Sequence, residues 1–250
     1  MTLVLIGLGL FDEEDVSLRA IEEAKISEKV YTELYTSKWY GNLKNLEKII
    51  GKEIIELTRK DLEDNSHKII EESKNQKIVI FIQGDPLVQT THSSLLLDAK
   101  KLGIKTKVIH NASIISGIAE TGLHLQKFGP YVTVPFPEKT KGKLPESVFE
   151  VIRKNKKREL HTLCLLDVIS EENKYMKINE GLQILLLGDV IKKDDKIVVF
   201  TKAGSDNSVI IYDSADDLIK NDIKDIPAVI IIPGKLHFTE KEYLELIKNE

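Results

Sequence analysis

The chain has 250 residues, 42% hydrophobic and 30% charged, enough for one large α/β domain or two modest ones and too ordinary in balance for long disorder. Its 36 Lys and Arg against 40 Asp and Glu leave a net charge of -4, which argues against a broad phosphate-binding surface for DNA or RNA. The single cysteine, Cys164, excludes an intrachain disulfide and a multi-thiolate zinc site.

In chain order, residues 3–6 form a short apolar run, the pattern of a buried strand, followed by the turn Gly7-Leu8-Gly9. This start lacks the basic head and long apolar core of a signal peptide, and no apolar run approaches the length that spans a bilayer. A cytoplasmic, membrane-free location is the expectation. Val16, Leu18, Ile21 and Ala24 recur at helical spacing. Residues 30–34 and 54–57 read as strands, and Thr58 with Asp61 as a capping sequence for a helix running toward Asn75. Residues 78–82 combine four β-branched side chains with Phe81, a strong strand signal. A helix over 95–102, stopped by Gly103, and a strand over 106–109 complete this half.

The βαβα rhythm predicts a mostly parallel sheet flanked by helices. Polar turn formers at 110–113 then interrupt the pattern, which sets two α/β domains, 1–110 and 114–250. The second carries predicted strands at 131–134, 160–166, 196–201, 208–212 and 228–232. Its helices fall at 146–155, 179–190, 215–220 and 239–248, the last opened by a Thr239–Glu242 capping box. Short links predict a mixed sheet.

Gly7-Leu8-Gly9 is not a dinucleotide fingerprint. Asp12 stands where the third glycine belongs, and Glu13, Glu14 and Asp15 would repel a pyrophosphate at the following helix start. The turn suits a ligand without phosphates, or no ligand. Pro233-Gly234-Lys235-Leu236 is not a phosphate loop either, because Val229 and Leu236 replace its first glycine and its magnesium-binding hydroxyl. Gly84-Asp85-Pro86-Leu87 lies at the carboxyl end of a central strand, where open α/β sheets bind ligands, and Asp85 could accept from a ribose hydroxyl or an amine. The six histidines show no metal-type pair, and no residue stands out as a general base.

Taken together, the ordered segments resemble the diphthine synthase branch of the tetrapyrrole methylase-like methyltransferases. They are Ile6-Gly7-Leu8-Gly9-Leu10, Tyr35-Thr36-Ser37, Gly84-Asp85-Pro86-Leu87-Val88, Thr90-Thr91-His92, His110, Ser113-Ile114, Thr121-Gly122-Leu123-His124 and Lys127-Phe128-Gly129. Leu160-His161-Thr162, Leu166-Asp167, Ala203-Gly204-Ser205 and Pro233-Gly234-Lys235-Leu236-His237 complete the set. The chain departs from the usual pattern at Gln83, Gln89, Asn111-Ala112 and Ala228.

The resemblance implies two α/β domains with the cofactor, S-adenosyl-L-methionine, in a cleft between them, and a homodimer without metal. It implies stepwise methylation of the amine of a 3-carboxy-3-aminopropyl group on a histidine of translation elongation factor 2. The cofactor would contact Leu10, Asp85, Val88, Ser113, Ile114, Leu166, Ala203 and, through the backbone, Ala228. Two alternatives share the scaffold: a methyltransferase of corrinoid or porphyrin precursors, and a catalytically silent nucleotide-binding protein.

Overall fold

The computed structural model describes residues 1–247 and divides the chain into two units, Met1–Gly117 and Ile118–Glu250. The first is built on strands β1 (Thr2–Gly7), β2 (Lys29–Glu33), β3 (Ile55–Leu57), β4 (Lys77–Ile82) and β5 (Lys105–Ile109). They form a fully parallel sheet in the order β3-β2-β4-β1-β5. Val4 and Ile6 of β1 point to one face, where they pack with Ala20 and Ala24 of helix α1 (Leu18–Lys25) and Leu46 and Ile50 of α2 (Leu43–Ile50). Leu3 and Leu5 point to the other, against α3 (Arg59–Glu63), α4 (Ser66–Glu72) and α5 (Ser93–Lys101). Burial on both faces explains the near-continuous apolar runs of β1 and β4.

The single helix expected over 58–75 is two. Thr58 and Asp61 do form a capping box at the start of α3. The helix stops at Asp64-Asn65, where the Asn65 amide and side chain both donate to the Lys60 carbonyl at 3.0 and 3.3 Å. Such local side-chain bonds compete with helix continuation. The first unit also extends past 110–113 through α6 (Ile114–Gly117), because Asn111 hydrogen-bonds back to Gly7 and Asp15.

The second unit carries β6 (Val132–Val134), β7 (Thr162–Leu166), β10 (Lys196–Thr201), β11 (Val209–Ser214) and β12 (Ala228–Ile232) in the order β11-β10-β12-β7-β6, with the small hairpin β8 (Val168–Ile169) and β9 (Lys174–Tyr175) beside them. β6 and β7 are parallel and the other main pairs antiparallel, so the sheet is mixed as expected. One face buries Phe149 and Ile152 of α7 (Glu146–Lys157), Leu182 and Leu185 of α8 (Ile178–Leu187) and Leu218 of α9 (Ala215–Lys220). Cys164 is part of this core, and burial pushes its thiol pKa up. The last helix, α10 (Phe238–Ile247), starts without a Thr239 cap; instead Glu240 accepts the His237 amide at 2.6 Å. Lys248, the expected last residue of this helix, lies outside the described residues. Among the described residues no helix is long and apolar enough to cross a membrane.

Candidate functional site

The carboxyl ends of β1, β4 and β5 converge at the two glycine turns. Leu8 N–H donates to Ile82 O at 2.8 Å, and Gly9 and Gly84 exchange two backbone bonds of 3.2 and 2.9 Å. A Cβ on Gly7 would overlap the Gly84 carbonyl and stand 2.7 Å from Asn111 Cβ. Gly9 has φ +92°, and a Cβ there would run into the Asp15 side chain. The Asp15 carboxylate takes the Leu10 and Phe11 amides at 2.9 and 2.7 Å. These are the amides a glycine-rich turn offers to a phosphate. Here an internal carboxylate occupies them.

Asp85 is only 6% exposed, more enclosed than a turn position suggests. Its Oδ1 accepts Leu87 N–H at 3.0 Å; its Oδ2 accepts Asn111 N–H at 3.3 Å and lies 2.8 Å from His110 Nδ1. Ser113 stands across from Gly84, and the Leu10 side chain approaches Gly117 of α6. Leu10, Asp85, Ser113 and Ile114 therefore share one sheet edge, with Val88 tied to the Asp85 carbonyl at 3.2 Å.

At the end of β2, beside β4 in the same sheet, Glu33 is fully buried. Burial pushes its carboxyl up to about 7 against the pull of the Thr36 hydroxyl, the Tyr35 and Thr36 amides and the Arg59 charge. Thr36 Oγ1 donates to the two carboxyl oxygens at 3.0 and 3.3 Å. The Arg59 guanidinium lies over the Tyr35 ring at 4.9 Å. His92 is buried against the start of α5, which holds its pKa below the usual imidazole value.

In the second unit Leu166, Ala228 and Ala203 fall at one end of the sheet. Ala228 pairs with Thr201, and the adjoining Val229 with Leu165, while Lys202 N–H donates to Pro227 O at 2.8 Å. Next to Leu166, Asp167 accepts the Phe136 and Val168 amides at 2.9 Å each and the Lys139 ammonium at 2.7 Å. Gly181 lets α8 approach Leu166, since a Cβ there would stand 2.6 Å from its methyl.

The opposite end of β7 and β12 holds a different cluster. Glu240 is fully buried and accepts His124 N–H at 2.8 Å, His237 N–H at 2.6 Å, His161 Nε2 at 3.1 Å and the Lys127 ammonium. Burial alone would raise its pKa, but these donors hold it down at about 2. Gly234 N–H donates to His161 Nδ1 at 2.8 Å, so His161 is neutral with its proton on Nε2, in line with a pKa depressed by burial. The segments 121–124, 127–129, 160–162 and 233–237 meet at this carboxylate and build structure away from Leu166 and Ala228.

The structure thus gathers Leu10, Asp85, Val88, Ser113 and Ile114 on one strand-end edge of the first unit, and Leu166, Ala203 and Ala228 on one edge of the second. Sequence reasoning passed over Glu33, and it saw Asp15 only as a repelling charge and Asn111 only as a departure from the family pattern, not as the residues that hold the turn. An acid six positions after the second glycine, and an acid inside the apolar run 30–34 followed by Thr36, were the available signals. Among the described residues no group of three or more His, Cys, Asp or Glu side chains could hold a metal ion. The phosphate-closed turn, the Asp85 acceptor and the apolar side chains beside them suit a ligand without phosphates.

Comparison with known proteins agrees with this chemistry. Residues 2–219 match the family model for tetrapyrrole (corrin/porphyrin) methylases. The chain is 43% identical to the diphthine synthase of Methanocaldococcus jannaschii, with 98% of each chain covered. It is 39% identical to that of Methanococcus aeolicus, covering 98% of this chain and 97% of the relative. A crystal structure of diphthine synthase superimposes with a TM-score of 0.91 at 35% identity, covering 100% of this chain and 96% of the other. The chain belongs to the diphthine synthase branch of the tetrapyrrole methylase family, and is a methyltransferase.

Proposed function

We propose that this methyltransferase moves the methyl group of S-adenosyl-L-methionine to the amine of a 3-carboxy-3-aminopropyl histidine on translation elongation factor 2. The observation that carries the cofactor assignment is the Asp15 carboxylate on the Leu10 and Phe11 amides, which closes the glycine turn to phosphates and leaves it open to an adenosyl ligand. When bound, the cofactor supplies a methyl group on a sulfonium, already joined to a good leaving group. The protein's share is then mainly alignment and exclusion of water.

In this reading Leu10, Asp85, Val88, Ser113 and Ile114 of the first unit hold the cofactor together with Leu166, Ala203 and the Ala228 backbone of the second. Asp85, fixed by His110, Asn111 and Leu87, keeps an acceptor for a hydroxyl or amine. The acceptor amine has a solution pKa of about 10 and attacks only when unprotonated, so its surroundings must help it shed a proton. Family likeness further leads us to a homodimer working in the cytoplasm, where its protein substrate acts.

The test is incubation of elongation factor 2 carrying the modified histidine with the protein and cofactor, followed by mass spectrometry of the histidine peptide. Added methyl masses on that peptide support the assignment; a peptide of unchanged mass under conditions where the cofactor binds contradicts it.

A further inference from the structure

We propose that Glu33 and Thr36 form a proton relay for the acceptor amine, with Thr36 as the group that meets the amine and Glu33 the positioning residue behind it. The inference rests on the methyl-transfer reading above. Its basis is the layout of the first sheet. The proposed cofactor contacts follow β1, β4 and β5, while the end of β2, immediately beside β4, carries Glu33 and Thr36. Open parallel sheets gather their ligands along this edge.

Three observations place the pair there. Glu33 is opposite Ile82 in the β2–β4 register, three residues before Asp85. Its carboxyl is fully buried, whereas Thr36 is only half-buried, so the hydroxyl is the route by which the carboxyl meets anything outside. The segment after β2 is fastened at two points, by Thr36 Oγ1 on Glu33 and by Gln83 Nε2 on the Lys38 carbonyl at 2.8 Å. Gln83 directly precedes Gly84-Asp85, so the same residue ties the relay segment to the cofactor turn.

A carboxyl in a core is costly to keep ionised without close partners. The ionisable groups facing this one are Tyr35 on its own segment and Arg59 on α3, with Glu63 on α3 and His92 at the start of α5 acting on that same neighbourhood. Arg59 lowers the carboxyl pKa and burial raises it, which leaves Glu33 able to take or release a proton near neutrality.

The step balances without a co-reactant. The substrate ammonium gives one proton to Thr36 Oγ1 as the Thr36 hydroxyl proton passes to a Glu33 oxygen. One N–H and one O–H bond break and two O–H bonds form. The nitrogen keeps its electron pair, the ammonium and carboxylate charges cancel, and the carboxylic acid later returns its proton to water through Thr36.

The test follows single-turnover methyl transfer to modified elongation factor 2 against pH in the wild type, Glu33→Gln, Thr36→Val and Thr36→Ser. S-adenosylhomocysteine affinity and the carboxyl NMR titration of the protein alone are measured alongside. The relay predicts a wild-type rate limb near 7, matched by a carboxyl resonance that titrates there and is missing in Glu33→Gln. Glu33→Gln and Thr36→Val lose about 100-fold in rate at neutral pH and regain it toward the amine's own pKa, while Thr36→Ser stays near wild type. Cofactor-product affinity is unchanged in all three. Wild-type rate and limb in folded Glu33→Gln overturn the relay; if that variant does not fold, the same result in Thr36→Val does. A wild type that binds the cofactor product but transfers no methyl overturns the methyl-transfer reading, and the relay with it.

Discussion

Gly9 and Asp15 exclude each other's alternatives: the space where a Gly9 side chain would stand is filled by the Asp15 side chain, whose carboxylate closes the turn onto Leu10 and Phe11. The glycine is required by an internal residue and by its φ of +92°, rather than by a ligand's approach. Gly9→Ala therefore costs stability even without cofactor, about 1–3 kcal/mol from backbone strain alone. Asp15→Ala strands two partly buried amides and costs about 1–3 kcal/mol. An alanine at 9 runs into the Asp15 Cβ, which Asp15→Gly but not Asp15→Ala removes, so Gly9→Ala combined with Asp15→Gly loses less than the sum of those two single variants. Denaturant unfolding of the wild type and these three variants checks this, and strict additivity would show that the two side chains do not compete for one space.

Asp85→Ala weakens S-adenosylhomocysteine binding by about 1.5–3 kcal/mol, the worth of a hydrogen bond to a charged group. The variant also loses fold stability, because Asp85 is 6% exposed and holds Asn111, Leu87 and His110. Calorimetric titration measures the first effect and thermal unfolding the second. Unchanged affinity in a folded variant removes Asp85 from the cofactor contacts.

Glu240 makes the second unit acid-labile. Its folded pKa of about 2 lies below the unfolded value, so its contribution is present above the ordinary carboxylate range and is lost as pH falls toward 2. The size is about 3 kcal/mol for a fully buried carboxylate with this shift. His161 acts in the same direction: its folded pKa is depressed, so stability drops as pH falls below the unfolded imidazole value. Glu240→Gln, which keeps the shape but cannot pair with Lys127, flattens this acid limb. A wild-type limb in the variant contradicts the role of Glu240.

Glu33 has the opposite sign. Its carboxyl is raised to about 7, so the folded state favours the protonated form and stability falls as pH rises from the unfolded carboxylate value through neutrality. Glu33→Gln removes that fall, so the stability gap between the two proteins widens in the variant's favour from the unfolded carboxylate value up to about 7 and stays constant above it. Thermal melts from weakly acid to weakly alkaline pH read it directly; parallel curves would mean that Glu33 is already ionised in weak acid.

Much of this was legible in the sequence because burial on two faces leaves a plain trace. β1 and β4 read as continuous apolar runs, and β10 and β12 match their expected limits. What was not legible depends on contacts between distant segments. The break in the helix after Thr58 turns on Asn65 reaching the Lys60 carbonyl. Thr239 looks like a cap, yet it lies inside α10, and Glu240, drawn inward by His124, His161 and Lys127, accepts the amide of His237 just before the helix. The acids of 12–15 were legible as hostile to phosphate, but only the fold shows Asp15 turned back onto the amides. Glu33 hid inside a strand pattern because periodicity does not distinguish a buried acid from an edge one.

The proposed function requires strand-end residues of both units to contact one S-adenosyl ligand. Hydrogen exchange with and without S-adenosylhomocysteine tests it most directly, because binding energy shared by both sets of residues slows local opening around each. A shared ligand slows exchange around Asp85 and Ser113 and also around Leu166 and Ala203. Protection confined to the residues of Met1–Gly117 would contradict it, and would leave the second unit without a part in cofactor binding.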